Sequence, residues 1–150
     1  MPVSRWVFRT VEKMNRARVI DVGAWVRFWR QAYEELGGRS SEVASKGCPR
    51  ASAYGLWFLG RLLNGHRAYQ VWPISRIDAE LGKNAAYAVI GADLLWQGGE
   101  MSRADLWAQV QHRYRTETGR EPAITEQGEI RVVLSLFREK QLVRGTDQPA

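Results

Sequence analysis

Two stretches of this chain repeat one apolar pattern about eighty residues apart. At a spacing of 82, Val22, Trp25, Val26, Phe28 and Gly37 meet Ala104, Trp107, Ala108, Val110 and Gly119. At a spacing of 80, Ala53, Leu56, Trp57, Leu62, Leu63 and Gly65 meet Val133, Leu136, Phe137, Leu142, Val143 and Gly145. The change of spacing places a two-residue deletion in the second unit's connecting loop. A unit of about sixty residues builds only a small core alone, so duplicated units are expected to pack on each other. The sequence therefore reads as all-α: two similar three-helix units, 3–65 and 84–145, packed as one domain over 1–150. A bridge at 66–83 with a short helix joins them, and 146–150 forms a frayed tail.

The helix limits come from spacing and caps. Val3, Val7, Val11 and Met14 lie on one stripe of a first helix that starts near Pro2. Asp21 caps a second helix and Gly37-Gly38 stops it. The polar stretch 37–47 reads as a loop. A nearly continuous apolar helix over 50–63, closed by Asn64-Gly65, is expected to be the most buried element. Ser75 with Asp78, and Ser102 with Asp105, have capping-box spacing. Further helices are expected over 76–81, 84–96, 103–118 and 126–143, with stops at Gly82, Gly98-Gly99 and Gly119. Trp25, Trp29, Trp57 and Trp107 sit on apolar faces and are expected in the core. Trp72 is expected to plug the seam between units, the other reading being an exposed aromatic contact with Tyr69.

Composition narrows the function. A hydrophobic fraction of 45% with seven Trp, five Tyr and four Phe excludes disorder for most of the chain. One Cys and two His exclude an internal disulfide and a closed zinc site. No cofactor is expected, because neither standard glycine-rich phosphate loop occurs. The longest apolar stretch, 85–96, is too short to span a bilayer, no secretory leader is visible, and the reading is of a cytoplasmic protein.

The net charge of +6 is concentrated. Residues 1–20 hold +4 of it, and Arg5, Arg9, Lys13 and Arg16 lie opposite the apolar stripe of the first helix. Such a face is either solvated or meets a partner: nucleic-acid phosphates, an acidic protein, a membrane surface or a second copy of the chain. The third helix of each unit lacks the polar face that base reading requires, so a nucleic acid would be held by its backbone. The expectation is a non-enzymatic binding protein using Arg5, Arg9, Lys13 and Arg16. The alternative is a protein-interaction or self-association module.

One local run stands apart: Lys46-Gly47-Cys48-Pro49-Arg50, followed by Gly55-Leu56. Either Ser45 caps the third helix and Cys48 lies in its first turn, or Cys48 is itself the cap. A helix N-terminus flanked by Lys46 and Arg50 favours thiolate. No partner for the thiol is recognisable nearby: His66 follows the far end of the same helix, roughly 25 Å away by helix rise, and His112 reads as a surface residue. Cys48 is therefore read as structural, and a Cys-dependent enzyme is the least favoured function. With Ala24-Trp25, Lys83-Asn84 and Tyr87-Ala88, this run resembles a small uncharacterised bacterial family found partly in mobile integron gene cassettes. Trp57 stands where that family often has a second Cys. The resemblance implies no activity.

Overall fold

The computed structural model describes residues 2–144, which form eight helices. They are α1 (Val3–Ala17), α2 (Val22–Glu35), α3 (Ser41–Ser45), α4 (Gly47–Phe58), α5 (Ile74–Leu81), α6 (Lys83–Gly98), α7 (Arg103–Thr118) and α8 (Glu129–Arg138). The frayed tail expected at 146–150 lies outside the described residues.

Amphipathic spacing explains the outer helices. The Val3, Val7, Val11 and Met14 stripe of α1 is buried, and the neighbouring Trp6 donates from Nε1 to the Trp29 carbonyl at 2.7 Å. That bond fixes α1 on α2, whose N-terminus is capped by the Asp21 carboxylate accepting from the Ala24 amide. Stacked and tilted rings run from Tyr33 through Trp6, Trp29 and Trp25 to Trp57, with centroids 4.1–6.0 Å apart. Ring contacts of this kind add to the area each aromatic residue buries.

The 50–63 stretch is deeply buried as expected, at residues 52–57 and 59–62, and α6 shares the centre of the packing with it. Every residue from Ala85 to Ala92 is buried, and α6 touches α4, α5, α7 and α8. A helix that is apolar all round belongs at the centre of the packing. Its small residues allow close approach: a Cβ on Gly55 of α4 would overlap the Cβ of Ala85.

The third helix of the first unit ends earlier than expected, at Phe58 rather than Leu63. Gly60, with φ +77°, closes it through Gly60 N to Trp57 O and Arg61 N to Leu56 O. This is the paired bonding of a Schellman stop, which outranks the later Asn64-Gly65 signal. The same bonds recur eighty residues on, at Lys140 with φ +57°: Lys140 N to Phe137 O, and Gln141 N to Leu136 O. The last helix is accordingly shorter than the expected 126–143.

After these two stops the chain segments pair with each other. Leu62 and Leu142 form an antiparallel bridge, with Leu63 N donating to Gln141 O at 2.9 Å and Val143 N to Arg61 O at 2.7 Å. The two bonds exchange equivalent positions of the repeat.

Elsewhere the repeat has a different register from the one expected. The N-caps Asp21 and Ser102 stand 81 apart, and Leu106, Val110 and Tyr114 are buried as Trp25, Trp29 and Tyr33 are. Trp107 is therefore no counterpart of Trp25; it is half-buried, edge-on to Tyr87. The 37–47 loop contains α3, capped by Ser40 accepting from the Val43 amide.

The expected capping box at Ser75 does not form, because Asp78 is used elsewhere. Its carboxylate is buried and accepts from the Tyr114 hydroxyl and from the Arg120 guanidinium, both at 2.7 Å. This ties the bridging helix α5 to α7. Trp72, before α5, lies edge-on to Phe58 with the Arg76 guanidinium 3.7 Å above its ring, so it packs between α4 and α5.

Burial, then the Asp78 carboxylate, pushes the Tyr114 phenol up to about 12 from its ordinary 10. A raised phenol pKa favours the folded protein below pH 10. Between pH 10 and about 12 the unfolded chain loses its proton first, so stability falls with rising pH. Chemical denaturation across that window is expected to show a steeper alkaline loss for the native chain than for Tyr114→Phe.

Candidate functional site

Two regions hold the residues singled out in the sequence. The first is the basic face of α1. Arg5 and Arg16 are exposed and form no ion pair among the described residues. Arg9 and Lys13 differ, because both grip Glu35 at the end of α2. Arg9 Nε donates to one Glu35 carboxylate oxygen at 2.7 Å and Lys13 Nζ to the other at 2.6 Å. These bonds hold the Glu35 carboxyl below its usual range and raise the Arg9 pKa. Glu12 adds a longer contact to Arg9 at 3.6 Å. The middle of the face is thus partly neutralised, and its free positive charge stands toward the ends of the helix.

The C-terminal end of α1 carries further cations that sequence spacing did not gather. Arg18 caps the helix in a left-handed conformation, with φ +56°. It lines a cleft of about 350 Å³ with Asn15, His66 and Arg67, floored by Met14 and Trp57 and without a lining carboxylate. Arg67 is held by donation from Nε to the Phe58 carbonyl at 3.1 Å, with its guanidinium 4.6 Å from the Phe58 ring centre. That carbonyl belongs to the last turn of α4, where a cation is favoured by the orphan carbonyls. Arg18 and Arg67 are 49 positions apart, and only the turn after Gly60 brings them together.

The second region surrounds Cys48. Lys46 occupies the N-cap position of α4, which leaves Cys48 in the first turn and gives Ser45 to the end of α3. Pro49 packs on Gly128, at the start of α8. The carbonyl of Asn84, in the first turn of α6, and that of Cys48 share the buried Ser52 hydroxyl at 3.1 and 2.8 Å. Glu129, the first residue of α8, acts on the same thiol. The N-termini of α4, α6 and α8 thus meet here, joining Lys46, Cys48, Lys83, Asn84 and Glu129. Burial and the Glu129 charge push the Cys48 thiol up, against Asn84, Lys46 and Lys83, which pull it down. The thiolate-favouring effect expected of a helix N-terminus is outweighed. Arg50 points elsewhere, donating to the Ser45 carbonyl at 3.4 Å. Burial also raises the Glu129 carboxyl.

A family described as one of unknown function, DUF6979, matches residues 8–143. The chain belongs to this family. The matched span contains the whole Cys48 junction and the Arg9, Lys13 and Arg16 part of α1, whereas Arg5 precedes it. No curated protein and no solved structure matches the chain. Among the described residues no helix is long and apolar enough to cross a membrane.

Proposed function

We propose that the protein is a non-enzymatic binding protein that holds nucleic acid by its phosphate backbone. The observation behind this reading is the carboxylate-free cleft of Arg18, His66 and Arg67 at the end of α1, the helix whose last turn also carries Arg16. Arg5 shares the face of Arg16, eleven residues and roughly 16 Å earlier by helix rise. The contact set is therefore Arg5, Arg16, Arg18 and Arg67, while Arg9 and Lys13 are held in reserve by Glu35. A cytoplasmic site of action agrees with the single unpaired thiol, and a bacterial, cassette-borne origin remains the reading carried by the Lys46-Gly47-Cys48-Pro49 run.

The test is fluorescence anisotropy of a labelled DNA duplex across salt concentrations. Four phosphate contacts give a slope of about −3.6 in log K against log salt, with little dependence on sequence. Changing Arg5, Arg16, Arg18 and Arg67 to Gln should abolish binding. Glu35→Gln should do the reverse: it releases Arg9 and Lys13, tightens binding at low salt and steepens the slope toward about −5.4. Equal binding by the native chain and the four-Gln variant, or a slope unmoved by Glu35→Gln, would reject this surface.

A second reading, self-association, rests on a groove of about 370 Å³ lined by Val22, Val26 and Leu81. Val22 and Val26 are 58% and 37% exposed. A mass that rises with protein concentration in sedimentation, and is lost in Val22→Ser, would favour it.

A further inference from the structure

Among the described residues four that are not glycine have left-handed backbone, and three of them meet at one place. Arg18 (φ +56°) and His66 (φ +57°) line the cleft of about 350 Å³ at the end of α1. Asn64 (φ +59°) is joined to it by the lining residue Asn15, whose Nδ2 donates to the Asn64 carbonyl at 3.3 Å. The fourth, Lys140, stops α8. Glycine adopts this conformation without strain, and a side chain there is uncommon. Both lining positions nevertheless carry a nitrogen donor, and both side chains are exposed. Trp57 Nε1 donates to the Gly65 carbonyl at 2.9 Å, which with the Asn15 bond pins the turn that presents His66. Arg67 is fixed through Nε on the Phe58 carbonyl. Neither Arg18 nor Arg67 forms an ion pair among the described residues. Asp21, which follows the lining residue Ile20, turns its carboxylate to the Ala24 amide.

Given the backbone-binding reading above, on which this rests, the geometry points to a terminal phosphate monoester as the occupant of the cleft: the phosphorylated end of a nucleic-acid strand. Charge and atom count separate such an end from an internal phosphate. A phosphodiester within a strand carries one negative charge and two free oxygens, whereas a monoester carries about −1.5 to −2 at neutral pH and three oxygens. The Arg18 and Arg67 guanidinium groups match that charge, and with the His66 imidazole they supply three donor groups for the three oxygens. Size agrees. The space corresponds to roughly twelve waters, enough for the phosphate and sugar of one end nucleotide and too little for a length of duplex. Val19 and Ile20, the latter 50% exposed, give that sugar an apolar wall. Arg5 and Arg16, on the open face of α1, are left to the phosphates within the strand.

The test is fluorescence anisotropy of one internally labelled duplex in three forms: unphosphorylated, 5′-phosphorylated and 3′-phosphorylated. One phosphorylated form is expected to bind about tenfold more tightly than the unphosphorylated duplex, the worth of one added hydrogen bond to a charged group. Arg18→Asn with His66→Asn removes the cation and the imidazole but keeps residues that tolerate left-handed backbone. This variant should lose the tenfold advantage with its thermal unfolding unchanged. Arg67→Lys touches neither left-handed position, keeps the charge and loses the planar fork, so it should lower the advantage. Arg5→Gln should weaken all three forms alike and leave the ratio in place. Inorganic phosphate or a nucleoside monophosphate should displace the duplex only at concentrations far above its own. Displacement at equal concentration would assign the cleft to a free phosphate and overturn the strand-end proposal. Equal binding of all three forms, or an advantage that survives both variants of the cleft, would also overturn it. Equal binding with a persisting salt slope would leave the backbone reading standing, whereas binding of a phosphorylated end alone would remove that reading and keep the cleft.

Discussion

Trp25→Ala is expected to cost about 3–5 kcal/mol of stability, the range for deleting a fully buried large aromatic side chain. Trp25 is 0% exposed, stacks between Trp29 and Trp57, meets Tyr54 edge-on and donates from Nε1 to the Arg50 carbonyl at 3.0 Å. Its removal opens a cavity between rings anchored on α2 and α4, so the site collapses poorly. It also leaves the Arg50 carbonyl without that donor. The matched change Trp107→Ala should cost far less, about 1–2 kcal/mol, because Trp107 is half-buried. Urea unfolding of the two variants checks both the magnitude and the register of the repeat. Equal losses would restore the 82-residue spacing, in which the two tryptophans are counterparts. A large loss for Leu106→Ala would instead support the spacing of 81.

Asp78→Ala is expected to cost about 2–4 kcal/mol, and the loss divides unevenly between its two partners. Tyr114 is 1% exposed, so its hydroxyl would be left buried without an acceptor, at about 1–3 kcal/mol. The Arg120 side chain is 68% exposed and regains water, so its share is within about 1 kcal/mol. Adding Tyr114→Phe to Asp78→Ala should therefore recover most of the loss, whereas adding Arg120→Ala should recover little. A double-mutant cycle measures this directly. If Asp78→Ala costs as much in the Tyr114→Phe background as in the native chain, the hydroxyl–carboxylate bond is not what fastens α5 to α7.

The legible part of the fold was the part written in local spacing. The Val3, Val7, Val11 and Met14 stripe, the Asp21 and Ser102 caps and the stops at Gly37, Gly82, Gly99 and Gly119 each depend on residues within one or two turns. Where two local signals competed, geometry chose between them: Gly60 overrode Asn64-Gly65 because its left-handed conformation completes the bonds to Trp57 and Leu56. Asp78 left its cap position because Tyr114 and Arg120 offered a buried carboxylate better partners. The central place of α6 was hidden because a helix apolar on every side shows no stripe, and how deeply it sits depends on neighbours from both units.

The candidate sites were legible only by halves. Counting charge along residues 1–20 located the cations but not Glu35, which reaches Arg9 and Lys13 across 26 and 22 positions. The Lys46-Gly47-Cys48-Pro49 run stood out, yet Glu129 lies 81 residues beyond Cys48 and nothing in local spacing joins them. The resemblance had already grouped Lys83-Asn84 with that run, and this was the one signal in the sequence for their meeting.

Because α1 packs on α8, the earliest helix of this domain rests partly on its latest. The bonds between 61–63 and 141–143 close the same circuit, each segment lending the other one acceptor. Neither unit is therefore sealed until both have folded, and the domain depends on contacts between residues far apart in sequence. A truncation before residue 129 would strip α8 from the flank of α1, and one before residue 141 would still leave the Leu63 amide without its acceptor.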